Sequence, residues 1–372
     1  MSRVAIVGCG VVGAAIAYEL SKIPQLSITV IDPKPPAQAA TKAALGVLMG
    51  AISHKTKGKA WQRRWVSMER YETLIPELES QTGKHIPYNR QGLLKISLTP
   101  EEQEKWEALA TVRQSQDIPL ELLCASDVES RYPQINTNAI AFAVYSPRDR
   151  QIHPTRLTQV LIEAAQQNGV TCHFGVAAED FECTTHSNNQ KTCTKIRTCD
   201  GTIAEIPTDW LVIAAGLGST PLTTHLAAST SIQPVLGQAI HLRLSDSESL
   251  GQGQPEPVIT GDDVHIVPLG SGEYWIGATV EFPELEDIPP EGDTQKLQQV
   301  IQQAFDLCPE LANATITNTW CGWRPRPEGR PAPIIEKLSG YDNVVLATGH
   351  YRNGVLLAPA TALEVRELLV GE

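Results

Sequence analysis

Three glycines near the start of the chain have the spacing of a nucleotide-binding turn. Gly8, Gly10 and Gly13 form G-x-G-x-x-G directly after the β-branched run V-A-I-V at residues 4–7. In such a motif the first glycine permits a tight turn, the second lets a pyrophosphate approach bare backbone, and the third lets a helix pack closely on the strand. The helix N-terminus then offers unpaired N–H groups and a partial positive charge to phosphates.

An acidic residue follows at the distance expected of a ribose ligand. A predicted helix over residues 14–22 leads to the strand I-T-V-I at 28–31, and Asp32 ends that strand nineteen residues after Gly13. A carboxylate at this point binds ribose hydroxyls and disfavours a 2′-phosphate. The motif therefore predicts FAD or NAD rather than NADP.

The C-terminal part of the chain distinguishes between these two cofactors. A strand at 343–347 (N-V-V-L-A) is followed by the loop T-G-H-Y-R-N-G at 348–354 and by a helix from Val355 onwards. This third strand–glycine loop–helix unit is expected to bring another helix N-terminus to the cofactor. A reduced flavin benefits from it because negative charge develops at N1 and C2=O of the ring, whereas a nicotinamide enzyme has no need of it.

The composition is that of an ordinary globular protein. With 372 residues, 42% hydrophobic and 19% charged, the chain is long enough for about two domains. A net charge of −12 disfavours nucleic acid or an anionic membrane surface as partner, and no apolar run approaches the length of about 20 residues that crosses a bilayer. The sequence does not determine the oligomeric state, and a homo-oligomer is one of the possibilities.

The cysteine pattern and the start of the first strand bear on the cellular compartment. The eight cysteines contain no C-x-x-C and no zinc-ligand spacing, so no metal site is predicted and the thiols are expected to be reduced. The first strand begins near residue 3, which leaves no room for a signal peptide. A cytoplasmic location is expected.

The predicted fold class is α/β with two domains. An FAD-binding Rossmann-like domain, with a mostly parallel sheet and a β-meander, is expected from residues 1–85, 146–222 and 320–372. Residues 86–145 and 223–319 are expected to form a substrate domain on an antiparallel sheet. Long helices are predicted over 56–82, 154–167 and 294–307, and a hairpin turn at Asp200-Gly201.

Motifs along the whole chain resemble the D-amino-acid oxidase family of flavoproteins, and most closely its glycine-oxidase branch, which serves thiamine biosynthesis. The motifs that carry the resemblance are G-C-G-V-V-G at 8–13, T-K-A-A-L-G-V-L at 41–48, A-A-G at 214–216, H-I-V-P at 265–268, I-G-A-T at 276–279, G-W-R-P at 322–325 and G-H-Y-R-N-G-V-L-L-A-P-A-T at 349–361.

The resemblance implies four substrate-binding residues. Arg324 of G-W-R-P is expected to pair with the carboxylate of an amino-acid substrate, and Arg352 of G-H-Y-R-N-G to act as a second anchor. A guanidinium fork suits this task because it holds a carboxylate by two parallel hydrogen bonds. His265 stands where similar enzymes often carry tyrosine, and is expected in the pocket. Met49 is expected to face the substrate, with plain packing as the alternative.

The resemblance also implies a cofactor path, with FAD bound non-covalently because no cysteine or histidine attachment motif is evident. The residues expected to line it are Gly8, Gly10, Val11, Val12, Gly13, Asp32, Pro33, Ala40, Thr41, Leu45, Gly46, Val47, Val176, Ala215, Gly216, His350, Tyr351, Arg352, Asn353, Gly354, Val355 and Leu356.

The implied reaction is oxidation of a small amine. Glycine, sarcosine or D-alanine would lose a hydride from Cα to flavin N5, giving the imine, and O2 would reoxidise the flavin and yield H2O2. Orientation supplies much of such catalysis, so no catalytic base is assigned. The alternatives are a D-amino-acid dehydrogenase that passes electrons to a quinone or carrier, an FAD-binding partner protein without turnover and, more distantly, a nicotinamide dehydrogenase.

Overall fold

The computed structural model describes residues 1–199, 203–228, 230–245, 250–251, 254–282 and 292–371. In chain order the strands are β1 (Ser2–Val7), β2 (Leu26–Asp32), β3 (Val47–Leu48), β4 (Tyr88–Asn89), β5 (Leu93–Ser97), β6 (Glu121–Leu123), β7 (Phe142–Ser146), β8 (Arg150–Ile152), β9 (Thr171–Phe174), β10 (Ala178–Thr185), β11 (Lys191–Thr198), β12 (Glu205–Pro207), β13 (Trp210–Ile213), β14 (Ile232–Arg243), β15 (Val258–Thr260), β16 (His265–Gly270), β17 (Glu273–Gly277), β18 (Thr315–Pro327), β19 (Ile334–Lys337) and β20 (Val344–Thr348). The α-helices are α1 (Val11–Ser21), α2 (Ala40–Ala43), α3 (Gly58–Thr82), α4 (Gln103–Gln114), α5 (Ala125–Arg131), α6 (Pro154–Gln167), α7 (Ser219–His225), α8 (Thr294–Leu307) and α9 (Gly354–Val370).

The nucleotide-binding turn belongs to a six-stranded sheet with the order β19-β20-β13-β1-β2-β9. The four pairs from β20 to β9 are parallel, and β19 joins the edge antiparallel. The side chains of β1 alternate between two cores. Val4 and Ile6 pack with α1, α3, α6 and α9, whereas Ala5 and Val7 pack with β10, β11 and α7. Both faces of the sheet are therefore covered, which explains the continuous apolar runs of its strands.

A second, eight-stranded sheet has the order β18-β14-β17-β16-β15-β5-β7-β6. Its pairs are antiparallel except β15–β5, a parallel pair that joins its two halves. Successive residues again face different cores: Leu94 packs with α8 on one face, whereas Leu93 packs with Ala51 and Ile52 on the other. One face of this sheet therefore covers the segment that follows β3.

Most of the predicted elements are present. The helices predicted over 56–82, 154–167 and 294–307 are α3, α6 and α8, and the predicted meander is the three-stranded sheet β10-β11-β12. The turn at Asp200-Gly201 lies outside the described residues. The domain boundaries stay a prediction, and β18 runs without a break across the boundary placed at residue 320. No helix in the described ranges is long and apolar enough to cross a membrane.

Helix α3 completes the hydrogen bonding of α9 at a proline. Pro359 lies inside α9 and has no N–H, so the carbonyl of Val355, four residues earlier, lacks its intrahelical donor. The hydroxyl of the buried Tyr71 on α3 donates to that carbonyl. One residue later, the N–H of Ala360 donates to Ser67 Oγ at 3.2 Å. The two helices are thus joined by polar contacts beside Pro359, where the hydrogen bonding within α9 is interrupted.

We expect Tyr71→Phe to lower the free energy of unfolding by about 1–3 kcal/mol, because it leaves a buried carbonyl without a donor. Urea unfolding measures this. Tyr88→Phe is the control, since the Tyr88 hydroxyl binds the side chain of Glu72 at 3.2 Å and not a helix carbonyl. Pro359→Ala restores an N–H and should recover part of the loss in the Tyr71→Phe background. Equal losses in the two phenylalanine variants would contradict this reading of α9.

Candidate active site

The glycine turn connects β1 to α1 through close backbone packing. Gly8 has φ +108°, and a Cβ on it would lie 2.6 Å from the carbonyl oxygen of Ala214 at the end of β13. A Cβ on Gly13 would overlap the carbonyl oxygen of Gly8. These two glycines therefore let the helix lie directly against the strand, as their motif predicts.

The N-terminus of α1 is open to an anion. The N-cap residue, Gly10, has no side chain that could accept hydrogen bonds from the first N–H groups of the helix. The first turn of the helix contains no acidic residue. The hydroxyl oxygen of Thr41 accepts a hydrogen bond from Val11 N at 3.0 Å, and a Cβ on Gly10 would lie 3.2 Å from that same oxygen. The half-buried Val12 follows. Bare backbone donors at a helix N-terminus suit a pyrophosphate, so these residues fit the dinucleotide part of FAD.

The carboxylate of Asp32 is fixed at the carboxyl end of β2. Its Oδ2 accepts from Cys9 N at 2.7 Å and its Oδ1 from Lys34 N at 2.8 Å. Burial raises the pKa of this carboxyl group, and the two backbone donors oppose that rise. Each carboxylate oxygen has a further lone pair, so the group can still accept from a ribose. The buried Val176 already donates its N–H to the Asp32 carbonyl at 3.2 Å, and Pro33 is exposed.

The segment after α2 runs along the edge of β8. Leu45 is buried, and its carbonyl accepts from Gln151 Nε2 at 3.0 Å. Gly46 has φ +76° and a carbonyl that accepts from Ile152 N at 3.0 Å. Val47 pairs directly with Gln151. The half-buried Ala40 begins α2, so the predicted residues from 40 to 47 form one continuous strip.

Two further turns belong to the same sheet edge. Ala215 and Gly216 follow β13, and the Gly216 carbonyl accepts from the Thr348 hydroxyl at the end of β20 at 3.2 Å. After β20, Tyr351 has φ +54°, a left-handed conformation that is uncommon for a residue other than glycine. Asn353 N closes the turn by donating to the His350 carbonyl at 3.0 Å, and α9 begins at the next residue.

The His350 side chain is a buried structural group. Its Nε2 lies 2.9 Å from Thr361 Oγ1, and the Thr361 hydroxyl donates to the Leu357 carbonyl at 2.8 Å, so Nε2 carries the proton. Burial, and then the charge of Arg63, lower the pKa of His350 to about 3. The ring is therefore neutral and held inside the fold, and a contact of His350 with the cofactor would have to come from its backbone.

Arg324 lies on β18, and its side chain packs against the neighbouring strand β14 of the second sheet. Its Nη1 donates to the Leu236 carbonyl at 3.0 Å, and a side chain on Gly237 would overlap the guanidinium. A glycine inside a strand often marks such a close approach. Burial, and then the charge of Arg352, lower the pKa of Arg324. Neither arginine forms an ion pair within the ranges that the structure describes.

His265 is the third member of this group. Its Nδ1 lies 2.8 Å from Thr260 Oγ1 across the β15–β16 pair. Burial, and then the charges of Arg352, Lys95 and Arg324, lower the pKa of His265 to about 4. The imidazole is therefore neutral at neutral pH. The charges of Arg324 and Arg352 act on each other and on His265, and the substrate-binding role of the three residues stays a prediction.

Met49 and Lys95 complete the surroundings. Met49 is half-buried and belongs to the same hydrophobic cluster as Ala278 and Val267, the latter on β16, the strand that carries His265. Lys95, which sequence reasoning did not single out, donates to the Gly261 carbonyl at 2.8 Å and to Asp262 Oδ1 at 2.7 Å. Its only signal in the sequence was a single cation inside an apolar strand.

A large groove lies next to α2 and the ends of β16 and β17. It has a volume of about 1160 Å³ and is lined by Lys42, His153, Trp275 and Trp320 among others, and none of Arg324, Arg352 and His265 borders it. The grouping of charges, rather than cavity size, therefore locates the candidate active site. Within the described residues, no group of three or more histidine, cysteine or acidic side chains is placed to hold a metal ion.

A parallel sheet carries a glycine turn at the N-terminus of its first helix and, after β20, the turn with Arg352, while the second sheet carries Arg324. This arrangement is typical of a dinucleotide-dependent oxidoreductase with two domains. The chain belongs to the DAO family of FAD dependent oxidoreductases, whose family model matches residues 3–368. Membership in this family confirms the prediction that the cofactor is FAD. It also confirms the prediction that the protein is an oxidoreductase similar to the glycine oxidases.

The relatives agree with this assignment. The chain is 30% identical to the bifunctional protein ThiO/ThiG of Synechocystis sp. over 100% of its own length and 52% of that protein. It is 28% identical to the glycine oxidase of Geobacillus kaustophilus over 98% of its length and 92% of the relative. The crystal structure of the glycine oxidase from that organism superposes with a TM-score of 0.86 at 26% identity, covering 100% and 96% of the two chains. The fold class predicted from the sequence is confirmed, and the chain spans about half the length of its bifunctional relatives.

We expect the two glycines of the turn to respond differently to alanine. In Gly10→Ala the Cβ lies 3.2 Å from Thr41 Oγ1, so the apoprotein should keep its Tm while the methyl group obstructs the pyrophosphate. In Gly13→Ala the Cβ overlaps the Gly8 carbonyl, so the Tm of the apoprotein should itself fall. Thermal unfolding of the apoproteins and flavin fluorescence titration measure the two effects. Full FAD affinity in Gly10→Ala would show that the turn does not approach the phosphates.

Proposed function

We propose that the protein oxidises glycine or a small amine such as sarcosine or D-alanine to the imine, with O2 as electron acceptor and H2O2 as product. The observation that carries the proposal is the pair of guanidiniums, Arg324 and Arg352, whose charges act on each other and on a neutral His265. Neither guanidinium has a carboxylate partner within the described residues. Two such cations favour an anionic ligand, and the carboxylate of an amino acid has the matching shape.

Arg324 is suited to orient this carboxylate. One of its nitrogens is tied to the Leu236 carbonyl, which restricts rotation of the fork, while the absence of a side chain on Gly237 lets the guanidinium lie flat. A restricted guanidinium loses little entropy on binding, so orientation of the substrate is obtained at low cost. Arg352 is exposed and supplies the second positive charge from the turn before α9.

His265 contributes a polar group without adding a third charge. Because its Nδ1 is engaged by Thr260, its Nε2 is the nitrogen left for a ligand. Met49, which follows the strip and belongs to the same hydrophobic cluster as Val267, would bound the site on that side. When bound, FAD supplies the two-electron acceptor for the substrate. The side chains of this chain hold the carboxylate, orient the Cα–H bond and limit access of water, and no general base is assigned among them.

The role in thiamine biosynthesis is part of the proposal. It is supported by the similarity of the full chain to relatives named ThiO/ThiG, of which it corresponds to about half.

The proposal is tested with the purified holoenzyme. Anaerobic glycine should abolish the visible absorbance of the oxidised flavin, and admission of air should restore it with formation of H2O2. Reduction by glycine followed by reoxidation only with a quinone would indicate a dehydrogenase. A flavin that none of glycine, sarcosine and D-alanine reduces would exclude the proposed substrates.

We expect Arg324→Ala to lower kcat/KM for glycine by roughly 30-fold to several-thousand-fold, because loss of a desolvated charge pair costs about 2–5 kcal/mol. Arg324→Lys should recover only part, since an ammonium lacks the planar fork. FAD content should change little. Steady-state kinetics and the flavin-to-protein absorbance ratio measure these effects.

Arg326→Ala is the matched control, since Arg326 lies two residues further along β18 and is exposed. It should leave kcat/KM nearly unchanged. If Arg324→Ala retains full turnover of glycine, the carboxylate is held elsewhere, and Arg352 becomes the first residue to test.

A further inference from the structure

A fully buried carboxylate binds the backbone that follows Met49. Asp149 Oδ1 accepts hydrogen bonds from Gly50 N at 2.6 Å and Ala51 N at 2.8 Å, and its Oδ2 accepts from Ile52 N at 2.9 Å. These residues belong to no strand or helix, so their N–H groups have no ladder to join. A buried charge is tolerated when several donors surround it, and here three successive peptide groups do so.

A fully buried guanidinium binds the other side of the same backbone. Arg113 donates from Nε to the Ala51 carbonyl at 2.6 Å, and from Nη2 to the carbonyls of Ser53 at 2.6 Å and Lys55 at 3.0 Å. It also stacks on Trp61, with 3.7 Å between the guanidinium carbon and the ring centre. Residue 51 therefore gives its N–H to Asp149 and its carbonyl to Arg113. We call Asp149, Arg113 and the backbone of residues 50–55 between them the clamp.

The clamped segment follows the strip at residues 40–47, which leads from the N-terminus of α1 past β18. The strip starts beside α1, where Thr41 accepts from the first N–H of the helix. It then passes β18, where the Trp320 side chain donates to the Ala43 carbonyl at 3.1 Å, four residues before Arg324. It reaches Met49, which belongs to the same hydrophobic cluster as Val267 of β16, the strand that carries His265. The residue directly before the clamp is therefore the one predicted to face the substrate.

Packing against α3 also holds the clamp in place. A Cβ on Gly50 would overlap the Met68 side chain of α3, so the backbone at Gly50 sits directly on that helix. Ala51 and Ile52 are buried in the cluster beneath the second sheet. The position of Met49 is thus determined by a turn that cannot shift without breaking charged hydrogen bonds or a packed contact.

We propose that Asp149 and Arg113 are positioning residues that hold Met49 and Gly50 as a rigid wall of the reaction site, and that this wall restricts the size of the group on the substrate Cα. The inference takes the identity of the substrates from the proposed function. The existence of the wall does not depend on that function. Neither residue touches substrate or cofactor; both act through the backbone of residues 50–55.

The change that tests the proposal is Asp149→Asn. An amide has one accepting oxygen, so its NH2 group must face at least one of the three N–H donors, and Arg113 loses the attraction of the Asp149 charge. Arg113→Lys is the second variant, since an ammonium cannot match three carbonyls in the geometry of a planar fork. Asp127→Asn is the matched control, because Asp127 accepts a backbone N–H, that of Cys124 at 3.1 Å, on an exposed helix start elsewhere.

Three measurements on the holoenzyme are required. Trypsin cleavage after the exposed Lys55 and Lys57 reports release of the clamp, and we expect it to be at least about tenfold faster in Asp149→Asn. The ratio of kcat/KM for D-alanine to that for glycine should rise by about fivefold or more, since a displacement of about 1 Å is enough to change such rates strongly. This ratio is independent of the fraction of active enzyme, so partial unfolding does not alter it. The third measurement is the visible absorbance spectrum of the flavin, recorded with and without acetate, which is an inert carboxylate. We expect the spectra of Asp149→Asn to differ from those of the parent protein.

The outcomes separate the proposal from the proposed function. Faster cleavage with an altered spectrum and an altered substrate ratio supports the wall. Faster cleavage with an unchanged spectrum and ratio overturns it, since the clamp would then support only the fold. Unchanged cleavage also overturns it. If the parent oxidises neither amine, the proposed function fails, and the spectrum together with the cleavage rate still decides the role of Asp149. If Asp149→Asn does not fold, the same readings are taken on Arg113→Lys.

Discussion

The direct packing of α1 on β1 is the constraint on which the rest of the structure depends. It exists because Gly13 has no side chain to separate the helix from the Gly8 carbonyl. The contact puts the helix N-terminus at the carboxyl edge of a parallel sheet. Parallel strands end at the same edge, so β2, β13 and β20 deliver their following turns to the same place. Segments that are far apart in the chain therefore meet around one nucleotide-binding edge.

A second constraint is electrostatic and lies on the other sheet. Arg324 is partly buried beside another cation and bonded only to a carbonyl among the described residues, an arrangement that burial and repulsion both disfavour. Burial, and then the charges of Arg352, Lys95 and Arg324, lower the pKa of His265, because a further positive charge there would cost still more free energy.

Helix α3 connects these two regions. Its Tyr71 satisfies the Val355 carbonyl that Pro359 leaves without a donor, so α3 supports the helix that follows the C-terminal turn. Its Met68 lies under Gly50, so the same helix supports the segment that follows the strip. A single long helix thereby sets the relative positions of two segments that sequence analysis placed near the cofactor and the substrate.

The sequence by itself determined the nucleotide-binding turn, the long helices and the cofactor class, because each depends on residues close together in the chain. The spacing of Gly8, Gly10, Gly13 and Asp32 has one mechanical meaning that local geometry is enough to supply. The roles assigned to Arg324, Arg352 and His265 came from motifs of a known family, and the structure groups these residues without testing what they bind.

Only the tertiary structure revealed the partners of those residues. The parallel pair β15–β5, the support of Arg324 by Gly237 and the bond from His265 to Thr260 each require the register of a sheet, which no local pattern contains. Asp149 binds residues 97 to 99 positions earlier in the chain, and Arg113 binds carbonyls 58 to 62 positions earlier. A buried charge and its backbone partners leave no periodicity in the sequence, because the peptide groups that neutralise the charge are the same for every residue type.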